Sequence, residues 1–121
     1  MAVKIKPATG YVDYEEYEGD TLEMSFNWKD SDGSYFDLTQ YTARMQIKKK
    51  DTDPNALVTL TNGDGITLGD GYANLYVLLT KEQTAALGKG KYVYDIELTD
   101  DSGKVNTLVA GIIVLLQSVT Q

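Results

Sequence analysis

The stretch Thr21–Lys50, TLEMSFNWKDSDGSYFDLTQYTARMQIKKK, decides the fold. At its start Leu22, Met24, Phe26 and Trp28 share one face, and Thr21, Glu23, Ser25 and Asn27 share the other. Toward its end Tyr41, Ala43, Met45 and Ile47 alternate in the same way with Thr42, Arg44, Gln46 and Lys48. Successive side chains leave a strand on opposite faces, so sustained apolar–polar alternation marks a half-buried strand. The stretch therefore predicts two central core strands, with the rest of the chain as their cover. Trp28 is in phase with Leu22, Met24 and Phe26, which places its ring in the core rather than on a ligand platform.

Between these strands Asp30-Ser31-Asp32-Gly33 is a turn signal. It also resembles the opening of a calcium loop. Tyr41 stands where such a loop needs its bidentate Glu, so a hairpin-type turn is expected instead. Similar Asp/Asn/Gly clusters follow at 51–55, 62–65, 70–71 and 100–103. They divide the remainder into strands at about 56–61, 66–68, 72–79, 91–99 and 104–117. One segment breaks the pattern. Thr80-Lys81-Glu82-Gln83 forms a capping box, predicting a short helix near residues 81–87 that Gly88 or Gly90 ends. After it Tyr92, Tyr94, Ile96 and Leu98 point inward. The order Leu87, Gly90, Tyr92 is similar to the tyrosine corner of immunoglobulin-like sandwiches, where a Tyr hydroxyl bonds back to the preceding connection. The expected fold is all-β: an immunoglobulin-like Greek-key β-sandwich of about seven to nine strands with one short helix. Residues 1–10, with Val3 and Ile5 alternating with Lys4 and Lys6 before Pro7, are expected as a first strand or an N-terminal arm. Residues 11–121 form the single sandwich domain.

Composition narrows the chemistry. The chain has 121 residues, no Cys and no His. A Cys-free chain has no disulfide framework and no thiolate metal site. Without His there is no nucleophile–His–acid triad and no imidazole ligand. Lys and Arg number 11 against 18 Asp and Glu, a formal net charge of −7, which repels phosphate backbones. No phosphate-binding glycine loop is present, since the glycines sit in turns between strands. The close carboxylate pairs lie in turns or on polar strand faces, not across a cleft as a glycosidase requires. No apolar run approaches the length of a membrane span. The reading is a non-enzymatic protein with no catalytic residue, cofactor or metal, and with neither nucleic acid nor membrane as partner.

Two segments stand out as interaction candidates. From Tyr11 to Glu23 the chain carries Asp13, Glu15, Glu16, Glu18, Asp20 and Glu23 with no basic residue, interleaved with Tyr11, Tyr14 and Tyr17. Such a segment is either a charged edge strand that discourages edge-to-edge pairing or a docking surface for a basic partner. The second is Ile112-Ile113-Val114-Leu115-Leu116, which lacks the polar alternate of a half-exposed strand. Either the core wraps both of its faces or another chain covers one. Burying such side chains contributes on the order of 1.5–3 kcal/mol each. The candidate interface residues are Tyr11, Tyr14, Glu15, Glu16, Tyr17, Ile113 and Leu115.

Several stretches together resemble a family of small phage and prophage virion proteins. They are similar to the N-terminal immunoglobulin-like domain of siphophage baseplate upper proteins and to short tail-associated proteins. The residues that carry the resemblance are Gly19–Trp28, Asp32-Gly33 and Asp37–Ile47, then Thr84–Leu87, Gly90–Leu98 and Gly103–Val105. Gln40 stands where the family is expected to have Gly, which predicts a strained or a different turn there. The resemblance implies a structural protein of a bacteriophage particle, acting as a tail, baseplate or head-to-tail adaptor. It further implies a homo-oligomer in contact with other phage structural proteins, located in the virion after assembly in the bacterial host cytoplasm. The sequence ends at Gln121 without the receptor-binding or coiled-coil extension of a baseplate upper protein, so the expectation is a stand-alone adaptor, cement or tail-completion protein. A capsid decoration (cement) protein is the alternative within that class. A carbohydrate-binding module using Tyr35, Phe36 and other loop aromatics is the alternative outside it.

Overall fold

The computed structural model describes residues 10–120. The expected N-terminal strand or arm lies outside the described residues, except for Gly10. The elements in order are β1 (Gly10–Tyr11), β2 (Tyr14–Tyr17), β3 (Leu22–Phe26), β4 (Thr42–Lys48) and β5 (Val58–Asn62). There follow β6 (Gly65–Leu68), β7 (Leu75–Leu79), α1 (Lys81–Leu87), β8 (Gly90–Thr99) and β9 (Val105–Leu116). The protein is all-β, with one helix among the described residues.

Hydrogen bonding follows the path β1-β9-β8-β4-β5-β6-β7-β3, and β2 also pairs with β9. Where the sequence predicts two sheets, the ladder runs as one curled sheet. The curl occurs at a tight turn, where β5 passes into β6 with only Thr61–Gly65 and Asn62–Ile66 in register. It folds β6, β7 and β3 back over the other strands. Inward residues from both ends then join one core, including Met24, Met45, Val77, Ile96 and Ile113. Their burial is the main stabilising term of the fold.

β4 is central, bonded to β8 on one side and β5 on the other. β3 is not. It lies at the end of the path and pairs with β7 from Leu22–Leu79 to Phe26–Leu75. The two alternating strands thus share a core without sharing a ladder, which corrects the expectation that both are central. The connection between them supplies the reason. Asp30 to Ser34 makes a hairpin-type turn under the Lys29–Tyr35 bridge. Its carboxylates serve the turn: Asp30 accepts from the Asp32 and Ser34 amides at 3.1 Å, and Asp32 accepts from Ser34 at 3.0 Å. The chain then crosses to the β6–β7 end, where the Leu38 amide donates to Gly69 O at 3.0 Å.

Asn74, fully buried just before β7, holds that crossing. Its Oδ1 accepts from the Trp28 amide at 2.9 Å, and its Nδ2 donates to Trp28 O at 3.0 Å and Phe36 O at 2.9 Å. A buried backbone group must find a partner, and one side-chain amide here supplies three bonds. Residues 72–74, expected as the start of a strand, instead form the turn that aims Asn74, with Ala73 at φ 55°. Gln40 avoids the left-handed region, and its turn closes through Tyr41 N–H to Leu38 O at 3.1 Å. The turn therefore differs from the expected glycine turn rather than being strained.

Two local expectations hold in detail. Thr80 Oγ1 accepts from the Gln83 amide at 3.2 Å while Gln83 Oε1 accepts from the Thr80 amide at 2.9 Å, the reciprocal capping box. The Tyr92 hydroxyl donates back to Leu87 O and to Gly88 O, the latter at 2.9 Å, closing the tyrosine corner. Buried Thr84 fastens α1 to the β2–β3 turn, donating to Asp20 O at 2.8 Å and accepting from the Gly19 amide at 2.9 Å. Trp28 packs on the core as expected, its ring 6.5 Å from Phe26 in a stacked arrangement.

Candidate interaction surface

The surface is built by the parallel pairing of β1 and β2 with β9. Tyr11 pairs with Ala110, and Tyr14 to Tyr17 pair with Ile113 to Leu116. Both short strands keep one register, interrupted at Val12 and Asp13. There the Val12 amide donates to Ala110 O at 3.0 Å, and the Asp13 carboxylate accepts from the Ile112 amide at 2.9 Å. A Cβ on Gly111 would sit 2.0 Å from the Val12 carbonyl oxygen, so only glycine lets the segments come this close. Val12 O also accepts from the Tyr94 hydroxyl at 2.6 Å. Burial, then Tyr14 and Asp13, push the Tyr94 hydroxyl's pKa far up, so it stays a donor.

Register partners point to the same side of a sheet. The pairings of β9 and its neighbours therefore assign every candidate to a face. On the inner face lie Tyr14, Ile113 and Leu115. Ile113 and Leu115 are 0% and 2% exposed and belong to the chain's own core. Their expected role as interface residues is corrected: the core already covers them. Tyr14 is half-buried, with its ring 6.4 Å from both Phe26 and Tyr94, and burial raises its hydroxyl pKa. It is a core-edge residue rather than a docking group. Glu16 has the same parity and is half-exposed at the sheet edge, where it accepts from the Tyr17 amide at 3.0 Å.

On the outer face lie Tyr11, Glu15 and Tyr17, with Tyr11 81% and Tyr17 49% exposed. Between them and β8 runs a row that the sequence reading missed: Ala110, Ile112, Val114 and Leu116, all partly open to solvent. Val93 extends it onto β8 beside Ile112. An interface in the terminal strand therefore falls one residue away from the expected positions, and a slip of one residue changes the face. A groove of about 510 Å³ lies over the Ala110–Ile112 end of this row, with Tyr11 and Asp13 on one side and Lys48, Asp95 and Glu97 on the other. Arg44 reaches Glu97 at 3.8 Å. Burial, then the charge of Glu97, raises the Asp95 carboxyl above its ordinary pKa, with Lys48 and Arg44 opposing. The arrangement can bind by burying apolar area within a charged rim. Among the described residues no group of three His, Cys, Asp or Glu gathers to hold a metal.

Tyr35 and Phe36 are each only partly exposed. Lys29 Nζ lies 4.8 Å over the Tyr35 ring, and Phe36 packs against the core.

No family model matches the chain, and no curated protein matches it. A solved structure titled "Drosophila OTK, extracellular domains 3-5" is 13% identical, with a TM-score of 0.33. The match covers 94% of this chain and 34% of that one. A likeness this weak carries no argument about function.

Proposed function

We propose that the protein is a non-enzymatic structural component of a bacteriophage particle. It acts as a tail, baseplate or head-to-tail adaptor, and it docks through the outer face of β9 and its neighbours. The observation that carries the docking role is the row Ala110, Ile112, Val114, Leu116, left partly open between Val93 and two exposed tyrosines. Contiguous apolar surface beside tyrosine is what interface cores use. The phage setting rests on the resemblance of Gly19–Trp28, Asp37–Ile47 and Gly90–Leu98 to virion proteins. In this reading β9, β8, β4 and β5 form one layer and β6, β7 and β3 the other, an immunoglobulin-like Greek-key sandwich crossed by α1 and by the 27–41 connection. The partners are other phage structural proteins, with copies of the chain repeated around the particle.

A capsid decoration protein would use the same face. The carbohydrate-binding reading is disfavoured by Phe36 packing against the core and by Lys29 lying over the Tyr35 ring. Antibody labelling of purified particles tests the proposal: label at a fixed place on tail or head supports it, and particles free of the chain would refute it.

A further inference from the structure

We infer that the segment received by this outer face is an extended, cationic stretch of a partner protein, which seats an arginine or lysine in the groove between Tyr11 and Asp95. The inference rests on the docking role proposed above and names the chemistry of its partner.

The groove supplies two kinds of contact. Its floor is apolar, made by Val93, Ala110 and Ile112 side by side across β8 and β9. Its walls are acidic on balance, with Asp13 at the break between β1 and β2, Asp51, and Asp95 and Glu97 on β8 outweighing the single cation Lys48. A long cationic side chain matches both, because its methylenes cover apolar surface while its charged head reaches a carboxylate. The exposed ring of Tyr11 at the rim offers an aromatic face for the same cation.

Charge decides against a second copy as the occupant. β1, β2 and β9 contain no Lys or Arg, while β2 and the break before it carry Asp13, Glu15 and Glu16. The cations of this face are few: Lys48 at the groove, Lys91 beside Val114, and Arg44, which Glu97 already engages. Two copies meeting here would bring two chains of formal charge −7 together, whereas a basic segment is drawn in. The burial of Asp95 supports this. A partly buried carboxylate beside Glu97 is held at some expense to the folded chain, and an incoming cation would relieve it.

The test is an NMR titration of the isotopically labelled full chain with three capped pentapeptides: valine–arginine alternating, valine–lysine alternating and valine–glutamate alternating. The two basic peptides are expected to shift Val93, Asp95, Ala110 and Ile112 saturably, and more weakly as salt rises. Asp95→Asn and Tyr11→Ala should each weaken that binding about tenfold, with melting curves confirming that the variants fold. Equal binding of the glutamate peptide, no saturable shift with any peptide, or unchanged affinity in Asp95→Asn would overturn the inference. Shifts of the same residues with protein concentration alone would also overturn it, by identifying a second copy as the occupant. Particle incorporation separates this failure from that of the docking role. If Ile112→Ser/Leu116→Ser is lost from particles while Asp95→Asn is retained, the face docks but its partner is not cationic. If both are retained, the docking role itself fails.

Discussion

The two faces of β9 carry nearly the same side chains and have opposite fates. Val109, Ile113 and Leu115 are sealed in the core, while Ala110, Ile112, Val114 and Leu116 stay partly open between Tyr11, Tyr17 and Val93. Hydrophobicity alone does not distinguish them. The inner face is closed by β3, β6 and β7 curling over it, and the outer face has no such layer among the described residues. An apolar side chain that folding does not bury is available for association, so the comparison separates residues that build the fold from residues that would use it.

The largest effect should come from the inner face. Ile113→Ala removes a fully buried side chain and should destabilise by about 3–4 kcal/mol, whereas Ile112→Ala, one residue away, should cost under about 1 kcal/mol. Urea unfolding of the two variants reads the difference, and equal losses would break the comparison. Next is Gly111→Ala. Its Cβ would collide with the Val12 carbonyl, so β1 and β2 should be pushed off β9 at a cost of about 2–3 kcal/mol. Hydrogen exchange should quicken at the Val12 and Ile112 amides before the core opens. Tyr94→Phe leaves Val12 O without its hydroxyl donor and should cost about 1–2 kcal/mol, with the core otherwise intact.

The smallest effect has the opposite sign. Asp95 has a raised pKa in the folded state, so the native chain holds that proton more tightly than the unfolded one. Its contribution to stability therefore falls as pH rises through the folded pKa and recovers as pH drops. Asp95→Asn should raise the melting temperature at pH 7 by ~1–2 °C, and the gain should shrink as pH drops through the folded pKa and vanish in acid below the ordinary carboxyl pKa of the unfolded chain. A gain that persisted there would deny that the carboxylate's charge is the cause.

What the sequence made legible was local. Strand alternation in Leu22–Phe26 and Thr42–Lys48, the Thr80–Gln83 box and the Tyr92 corner all depend on residues close in the chain, and each signal carries its own geometry. The candidate surface was legible only as a segment. Ile112 to Leu116 is apolar at every position, so no period reveals which side faces in. The faces follow from pairing with Tyr14–Tyr17, nearly a hundred residues away and parallel, which only the fold supplies. The same pairing divides Tyr11, Tyr14 and Tyr17, which look equivalent in sequence, into two exposed rings and one core ring. Asn74 was illegible for a different reason. In a stretch of Gly, Asp and Asn it reads as one more turn residue, and its role depends on backbone groups at Trp28 and Phe36 that the chain brings to it from afar.

The central claim is that the outer face of β9 docks while the inner face folds, and the double variant Ile112→Ser/Leu116→Ser tests it most directly. The variant's melting temperature and its incorporation into particles, in a host infected by phage lacking the native chain, are measured together. The account predicts a melting temperature within ~3 °C of the parent and incorporation reduced at least tenfold. Incorporation at the parental level by that folded variant would contradict it.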